Sequence, residues 1–183
     1  MNPVRALALA SLFASTLAGA AALKTDPANS RVTVVFKQMN VPVEASFKSF
    51  TAGIDYDAAR PEAAKASVDI QTASMDLGDA DYNREVAKKE WFNTAQFPKA
   101  SFVSTSIKSA GPGKLNVAGK LTIKGKTADV NFPLTVKTDG GKHLFEGQLP
   151  IRRLAFNIGE GEWKDTSMVA DEVVIKFRVS AGK

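Results

Sequence analysis

The chain has 183 residues, enough for one ordinary domain with a sizeable core, and its 44% hydrophobic and 23% charged residues are typical of a globular fold. Its net charge of +5 comes from 24 basic against 19 acidic residues scattered along the sequence. No basic run stands ready to grip a phosphate backbone, so the excess predicts weak attraction to an anionic membrane surface and no nucleic-acid partner.

The first 22 residues, MNPVRALALASLFASTLAGAAA, carry one arginine, Arg5, ahead of an uncharged run from Ala6 to Ala22. Both Ala18-Gly19-Ala20 and Ala20-Ala21-Ala22 fit an A-x-A cleavage site, the mark of a secretory signal peptide. Ala, Ser, Thr and Gly leave the run too weakly apolar to read as a bilayer span. Residues 1–22 are therefore read as a signal and 23–183 as one exported domain, soluble in the periplasm. Cysteine is absent, which excludes a disulfide framework, a thiolate metal site and a lipid-modified cysteine anchor.

From Leu23 onward the dominant signal has a period of two. Val32, Val34 and Phe36 alternate with Thr33, Val35 and Lys37, and Val43, Ala45 and Phe47 continue the theme. The phase then slips by one residue, with Phe50, Ala52 and Ile54 carrying it on, which predicts a β-bulge. Ala66, Val68 and Ile70 form the next apolar face, and residues 101–109 a further strand. Leu115, Val117, Leu121 and Ile123 follow, then Val130, Phe132, Leu134 and Val136. Asp139-Gly140-Gly141 reads as a hairpin turn before Phe145, Gly147, Leu149 and Ile151, and Val173, Ile175, Phe177 and Val179 complete the series. About eight long strands with one apolar face each predict an all-β, antiparallel barrel or sandwich.

One stretch breaks the pattern. In MDLGDADYNREVAKKEWFN, Asp79 or Asp81 suits a helix N-cap, with acidic residues in the first turn and Lys88 and Lys89 near the end. The spacing predicts a short helix with Tyr82 and Val86 on one face, ending at Trp91-Phe92. A structural cap on a barrel end and a ligand-gating lid both fit such an insert.

Residues for catalysis are sparse. The single histidine, His143, sits beside the Gly140-Gly141 turn and reads as solvated, so no metal, haem or cofactor site of ordinary ligand count is expected. Asp76, Asp79 and Asp81 resemble part of a calcium loop without its closing glutamate, and read as helix capping. Glu160, Glu162 and Asp165 cluster around Trp163, interleaved with Gly159 and Gly161, and read as an irregular turn. No enzymatic activity is expected.

These elements, in this order, resemble the YceI-like family of secreted polyisoprenoid-binding proteins with a lipocalin-like fold. The likeness rests on RVTVVFKQMN, SFKSFTAGIDYD, ASVDIQTASMD, NREVAKKEWFNTAQFPKASFVSTSI, LNVAGKLTIKGKTADVNFPLTV and FNIGEGEWKDTSMVADEVVIKFRV, and covers residues 24–180. The resemblance implies an extended eight-stranded antiparallel barrel with a short helical cap insert and an apolar tunnel. The tunnel would hold a polyisoprenoid, an isoprenoid quinone or a fatty amide. Candidate tunnel residues are Phe36, Met39, Phe47, Phe50, Val68, Ile70, Phe102, Leu121, Phe132 and Leu149, with Trp91, Phe92 and Phe97 as lid. Many members carry histidines near the ligand headgroup; the matching stretches here have none, leaving Gln38, Asn40, Asn83 and Arg84 as headgroup candidates. The resemblance also allows a homodimer. The alternative is a filled barrel, in an envelope stress-related protein that binds a protein partner at its surface.

Overall fold

In the computed structural model, which describes residues 22–182, the alternation runs from strand to strand until the last strand meets the first. The strands are β1 (Ala22–Gln38), β2 (Val41–Phe47), β3 (Phe50–Asp55), β4 (Lys65–Gln71), β5 (Met75–Asp76), β6 (Lys99–Ser109), β7 (Lys114–Ile123), β8 (Lys126–Asp139), β9 (Lys142–Arg152) and β10 (Val169–Gly182). The α-helix among the described residues is α1 (Ala80–Val86). The expected signal peptide lies outside the described residues except for Ala22, which opens β1 and pairs with Asp55.

Pairing is antiparallel throughout, and β1 closes on β10 from Arg31↔Arg178 to Phe36↔Val173. The result is a closed barrel of eight staves in the order β1, β10, β9, β8, β7, β6, β4, β3. This is the lipocalin-like architecture that the alternation and the resemblance predict. β2 continues the β3 stave alongside the second half of β1, pairing from Val32↔Phe47 to Gln38↔Val41. The phase slip falls at Lys48-Ser49, where β2 ends and the chain leaves the β1 ladder: a break between two strands and not the expected bulge within one. There Lys48 N–H donates to the Ser74 carbonyl and the Ser49 carbonyl accepts from Gln71 N–H, both at 3.0 Å. The bend lets β2 pair with β5 instead of following the barrel wall.

Three hairpins use two-residue turns with both φ angles positive: Met39-Asn40, Lys124-Gly125 and Gly140-Gly141. That turn's twist matches the twist of the flanking strands, so these ends hold even where a non-glycine residue sits in the left-handed region. The inward phase of β7 is the cleanest. Leu115, Val117, Leu121 and Ile123 are buried while Lys114, Asn116 and Lys120 are exposed.

The helical insert is shorter than its sequence predicts. Asp79 caps it, accepting hydrogen bonds from the N–H groups of Asp81 and Tyr82 at 2.8 and 3.2 Å, but α1 ends at Val86. The chain then winds through irregular turns, with Trp91 N–H donating to Lys88 O and Phe97 N–H to Asn93 O. Trp91 and Phe92 therefore lie beyond the helix, on a separate strap.

Candidate ligand-binding cavities

In a fully packed barrel the inward side chains would all be buried. Here Val173, Ile175 and Phe177 of β10 are only half-buried, although they share the phase of the buried Val179 and Ala181. Phe36, Phe102, Val68 and Ile70 behave likewise. All of them face cavity, and the space falls into two parts.

The outer cavity, about 260 Å³, lies under the insert. Val34, Phe36, Phe47, Val173 and Ile175 form part of its wall, Trp91, Phe92 and Val86 part of its roof, and Ile151, Ile158 and Trp163 another side. Gln38, Tyr82, Glu85, Ser101 and Arg153 are the polar or charged side chains on this otherwise apolar surface. The inner cavity, about 130 Å³, lies beyond it, away from the insert and toward Tyr56 and Lys65, and is lined by Ile54, Ile107, Leu115, Phe132, Phe145, Leu149 and Phe177, among others. Val68, Ile70, Phe102, Leu121 and Ile175 line both.

The expected tunnel residues divide accordingly. Phe36 and Phe47 line the outer cavity, Phe132 and Leu149 the inner one, and Val68, Ile70, Phe102 and Leu121 both. Met39 lines neither. It is the first residue of the β1–β2 turn and stands 68% exposed. Phe50 also lines neither, because it sits at the bend after Ser49 and packs against both parts of the core from the side.

Of the lid residues, Trp91 and Phe92 cover the outer cavity, and Phe92 meets Phe47 edge-on at 6.1 Å between ring centres. Phe97 does not lie over the mouth. Its ring presses on Gly125 at the β7–β8 turn, where a Cβ would stand 2.9 Å from Cε1.

The headgroup candidates need the largest revision. Gln38 lines the outer cavity. Asn40 is spent on the hairpin turn, and Arg84 is an exposed partner of Asp81. Asn83 braces the approach to α1, accepting from Leu77 N–H at 2.8 Å and donating to Asp76 at 3.2 Å. Gly78 N–H, Asn83 and Lys48 together hold the Asp76 carboxyl below the usual carboxylate range. The polar groups grouped at the mouth are instead Gln38, Tyr82 and Glu85.

Two cations absent from the sequence-based expectation anchor the roof. Arg153 is 2% exposed and uses all five of its N–H donors on backbone carbonyls. Nε donates to Ala170, Nη1 to Ile158 and Gly159, and Nη2 to Trp163 and Val169, at 2.6–3.1 Å. Its guanidinium lies 5.8 Å from the centre of the Trp91 ring, which also meets Trp163 at 5.4 Å. Burial lowers the Arg153 pKa, and Asp171 works against that. Gly159 is required beside it, since its φ is +80° and a Cβ there would stand 2.2 Å from Nη1.

Lys124, also buried, points its Nζ at Lys89 O (2.6 Å), Asn157 O (2.7 Å) and Glu160 Oε2 (2.9 Å). The ammonium holds the Glu160 carboxyl below its ordinary pKa. Glu160 thus has a partner, where the sequence reads as an irregular turn of exposed charges.

A signal for Arg153 was present in the sequence. Leu149, Ile151 and Arg153 continue one inward phase, so an arginine at that step had to be buried and paired. Lys124 gave no such signal, because its role depends on turns distant in sequence. His143 departs from the expected solvated turn position: it lies in β9, accepts or donates at Nδ1 with the Thr138 hydroxyl at 2.9 Å, and meets the Tyr56 ring edge-on.

A closed eight-stranded antiparallel barrel with a hollow, apolar interior and a strapped mouth defines a lipocalin-like protein. The chain belongs to the YceI-like family, whose model matches residues 23–181. A UPF0312 protein of Pseudomonas putida is 38% identical over 98 residues, a stretch covering 54% of this chain and 51% of that protein; the chain spans about half the length of such relatives. The crystal structure of Burkholderia cenocepacia BcnA superposes with a TM-score of 0.85 at 52% identity, covering 86% of this chain and 99% of BcnA. A polyisoprenoid-binding domain from Saccharophagus degradans superposes with a TM-score of 0.71 over 88% of this chain and 97% of that domain. Its identity is 15%, so it shows the shared fold alone.

Proposed function

We propose that this protein is a periplasmic, non-catalytic carrier of an amphiphilic lipid, whose isoprenoid-like or fatty-acyl tail lies in the barrel while its headgroup stays at the mouth. The observation that carries the reading is the half-buried state of Phe36, Phe102, Ile175 and Phe177, inward-facing apolar side chains that border cavity. A site of this kind derives affinity from apolar burial and selectivity from a few polar groups. Gln38, Tyr82 and Glu85 supply those groups here. Family membership supports the same class of ligand. The two cavities weigh against a filled barrel.

The same reading gives the mouth a contact with membranes. Met39, Val41, Tyr82 and Met168 are large exposed apolar residues near it, and Met39 N–H bonds to the Met168 carbonyl at 2.8 Å. Such a rim suits brief contact with a lipid surface, helped by the basic net charge. Export through the signal in residues 1–22 belongs to this proposal.

The test is mass spectrometry of an organic extract of the protein, purified from its own envelope without detergent. A stoichiometric long-chain isoprenoid or acyl species is the expected result. A lipid-free extract from folded, monodisperse protein overturns the carrier reading and returns the alternative of a filled barrel that binds a protein partner at its surface.

A further inference from the structure

Five side chains border both cavities, Val68, Ile70, Phe102, Leu121 and Ile175, and Phe102 is the one aromatic ring among them. In the order of the staves β6 stands opposite β10, so Phe102 on β6 and Ile175 on β10 face each other across the interior, and both line both cavities. From Phe102 a row of aromatic contacts crosses the barrel. Phe102 meets Phe132 of β8 at 5.5 Å, and Phe132 meets Phe177 of β10 at 5.4 Å.

The strands between these rings carry inward-facing glycines where the alternation calls for a large apolar residue. Gly119 of β7 lies between Phe102 and Phe132, and a Cβ there would come within 2.4 Å of the Phe102 ring. Gly147 of β9 lies between Phe132 and Phe177, and a Cβ there would come within 2.4 Å of the Phe177 ring. Each outer ring packs closely against a neighbouring glycine. A glycine in a strand interior weakens it unless something must approach the backbone closely. Here a phenylalanine ring does.

We propose that the Phe102–Phe132–Phe177 row is a length gauge for the ligand tail, with Phe102 as its movable end. This rests on the carrier reading and adds what that reading lacks, the class of tail accepted. A tail that fits within the outer cavity binds without disturbing the row. A longer one gains further burial only by turning Phe102 aside and entering the inner cavity. The preferred ligand is one whose tail is long enough to occupy both.

The test uses the full delipidated protein and straight-chain fatty amides of increasing length, with dissociation constants measured by calorimetry. Wild-type affinity is expected to rise by up to about fourfold per methylene, the limit set by apolar transfer. The gain should then fall abruptly at the length that fills the outer cavity. Phe102→Ala is expected to move that break to longer tails. Gly147→Ala pushes Phe177 inward and is expected to weaken only the long tails; it also keeps the test open should Phe102→Ala fold poorly.

A break at the same length in Phe102→Ala, or a wild-type series without a break, overturns the gauge while leaving the carrier reading intact. Absence of binding at every length in wild-type protein overturns the carrier reading itself, and the gauge with it.

Discussion

The strap from Lys88 to Pro98 and the helix α1 just before it adjoin in sequence and roof the same cavity, yet they are held in different ways. The strap is fastened from three sides. Lys124 binds its Lys89 carbonyl, Gly159 and Glu160 donate to its Glu90 carbonyl at 2.8 Å, and Thr72 bonds the carbonyls of Phe97 and Pro98. Trp91 is wedged between Trp163 and Arg153. The helix has its Asp79 cap, the Asn83 brace, surface ion pairs and one anchor at its end, Val86, which packs on the core and accepts from Phe92 N–H at 3.0 Å; Tyr82 stands 57% exposed. Large aromatics in an insert suggest a lid, but burial and bonding make this one a fixed roof. Under the carrier reading, α1 and not the strap is the element that would yield to an entering ligand.

The strongest way to break that contrast is to cut the strap's deepest anchor. Arg153→Met leaves five backbone carbonyls without their donor and is expected to cost about 3–5 kcal/mol of stability in urea denaturation. Amide exchange should quicken at Trp91 and Gly159 more than at Asn83. Equal loosening of both regions would mean that they form one unit after all.

A smaller change sharpens the contrast from the other side. Asp79→Ala removes the helix cap and is expected to cost about 1 kcal/mol locally. Hydrogen exchange should report it as faster exchange at Tyr82 and Asn83, with strap amides and the global midpoint unmoved.

Acid should have the least effect, and it reaches the strap through Glu160. The Glu160 pKa is lowered in the fold by Lys124, so the carboxylate's contribution is present above the ordinary carboxylate pKa and fades as pH falls through the folded value. Below about pH 4, the range of an unperturbed glutamate, exchange at Gly159 and Glu160 should increase modestly. Lys124 still holds two carbonyls there, which limits the effect. Glu160→Gln should show no such pH step; if it does, another group controls the strap.

The staves were legible in the sequence because a half-buried strand must alternate; the slip of phase marked Lys48-Ser49 but read as a bulge, because alternation alone does not tell a bulge from a break between strands. The cavity wall followed from the same alternation, which correctly sets Phe102, Leu121 and Phe132 inward. What alternation does not encode is distance along the barrel. Nothing local tells Phe97, which clamps a turn, from Phe92, which roofs the cavity. The end of α1 at Val86 was hidden for a related reason: the strap's contacts with Lys124 and Gly159, both distant in sequence, override a run that could continue as helix. The headgroup candidates were read from position in the motif, whereas turn geometry had already claimed Asn40 and a brace had claimed Asn83.

The ladder that closes the barrel has a consequence for how the chain reaches this shape. Ser180 N–H bonds to the Ser30 hydroxyl across 150 residues, and β1 runs beside β10 for most of its length. During synthesis β1 emerges early and must wait for almost the whole polypeptide before its partner exists. Until then β1 and β9 each present a free edge, a template for joining the wrong chain. Folding governed by such remote pairing is slow, on the order of milliseconds to seconds for β-rich domains. The barrel can therefore close only in one late step, once β10 has been made.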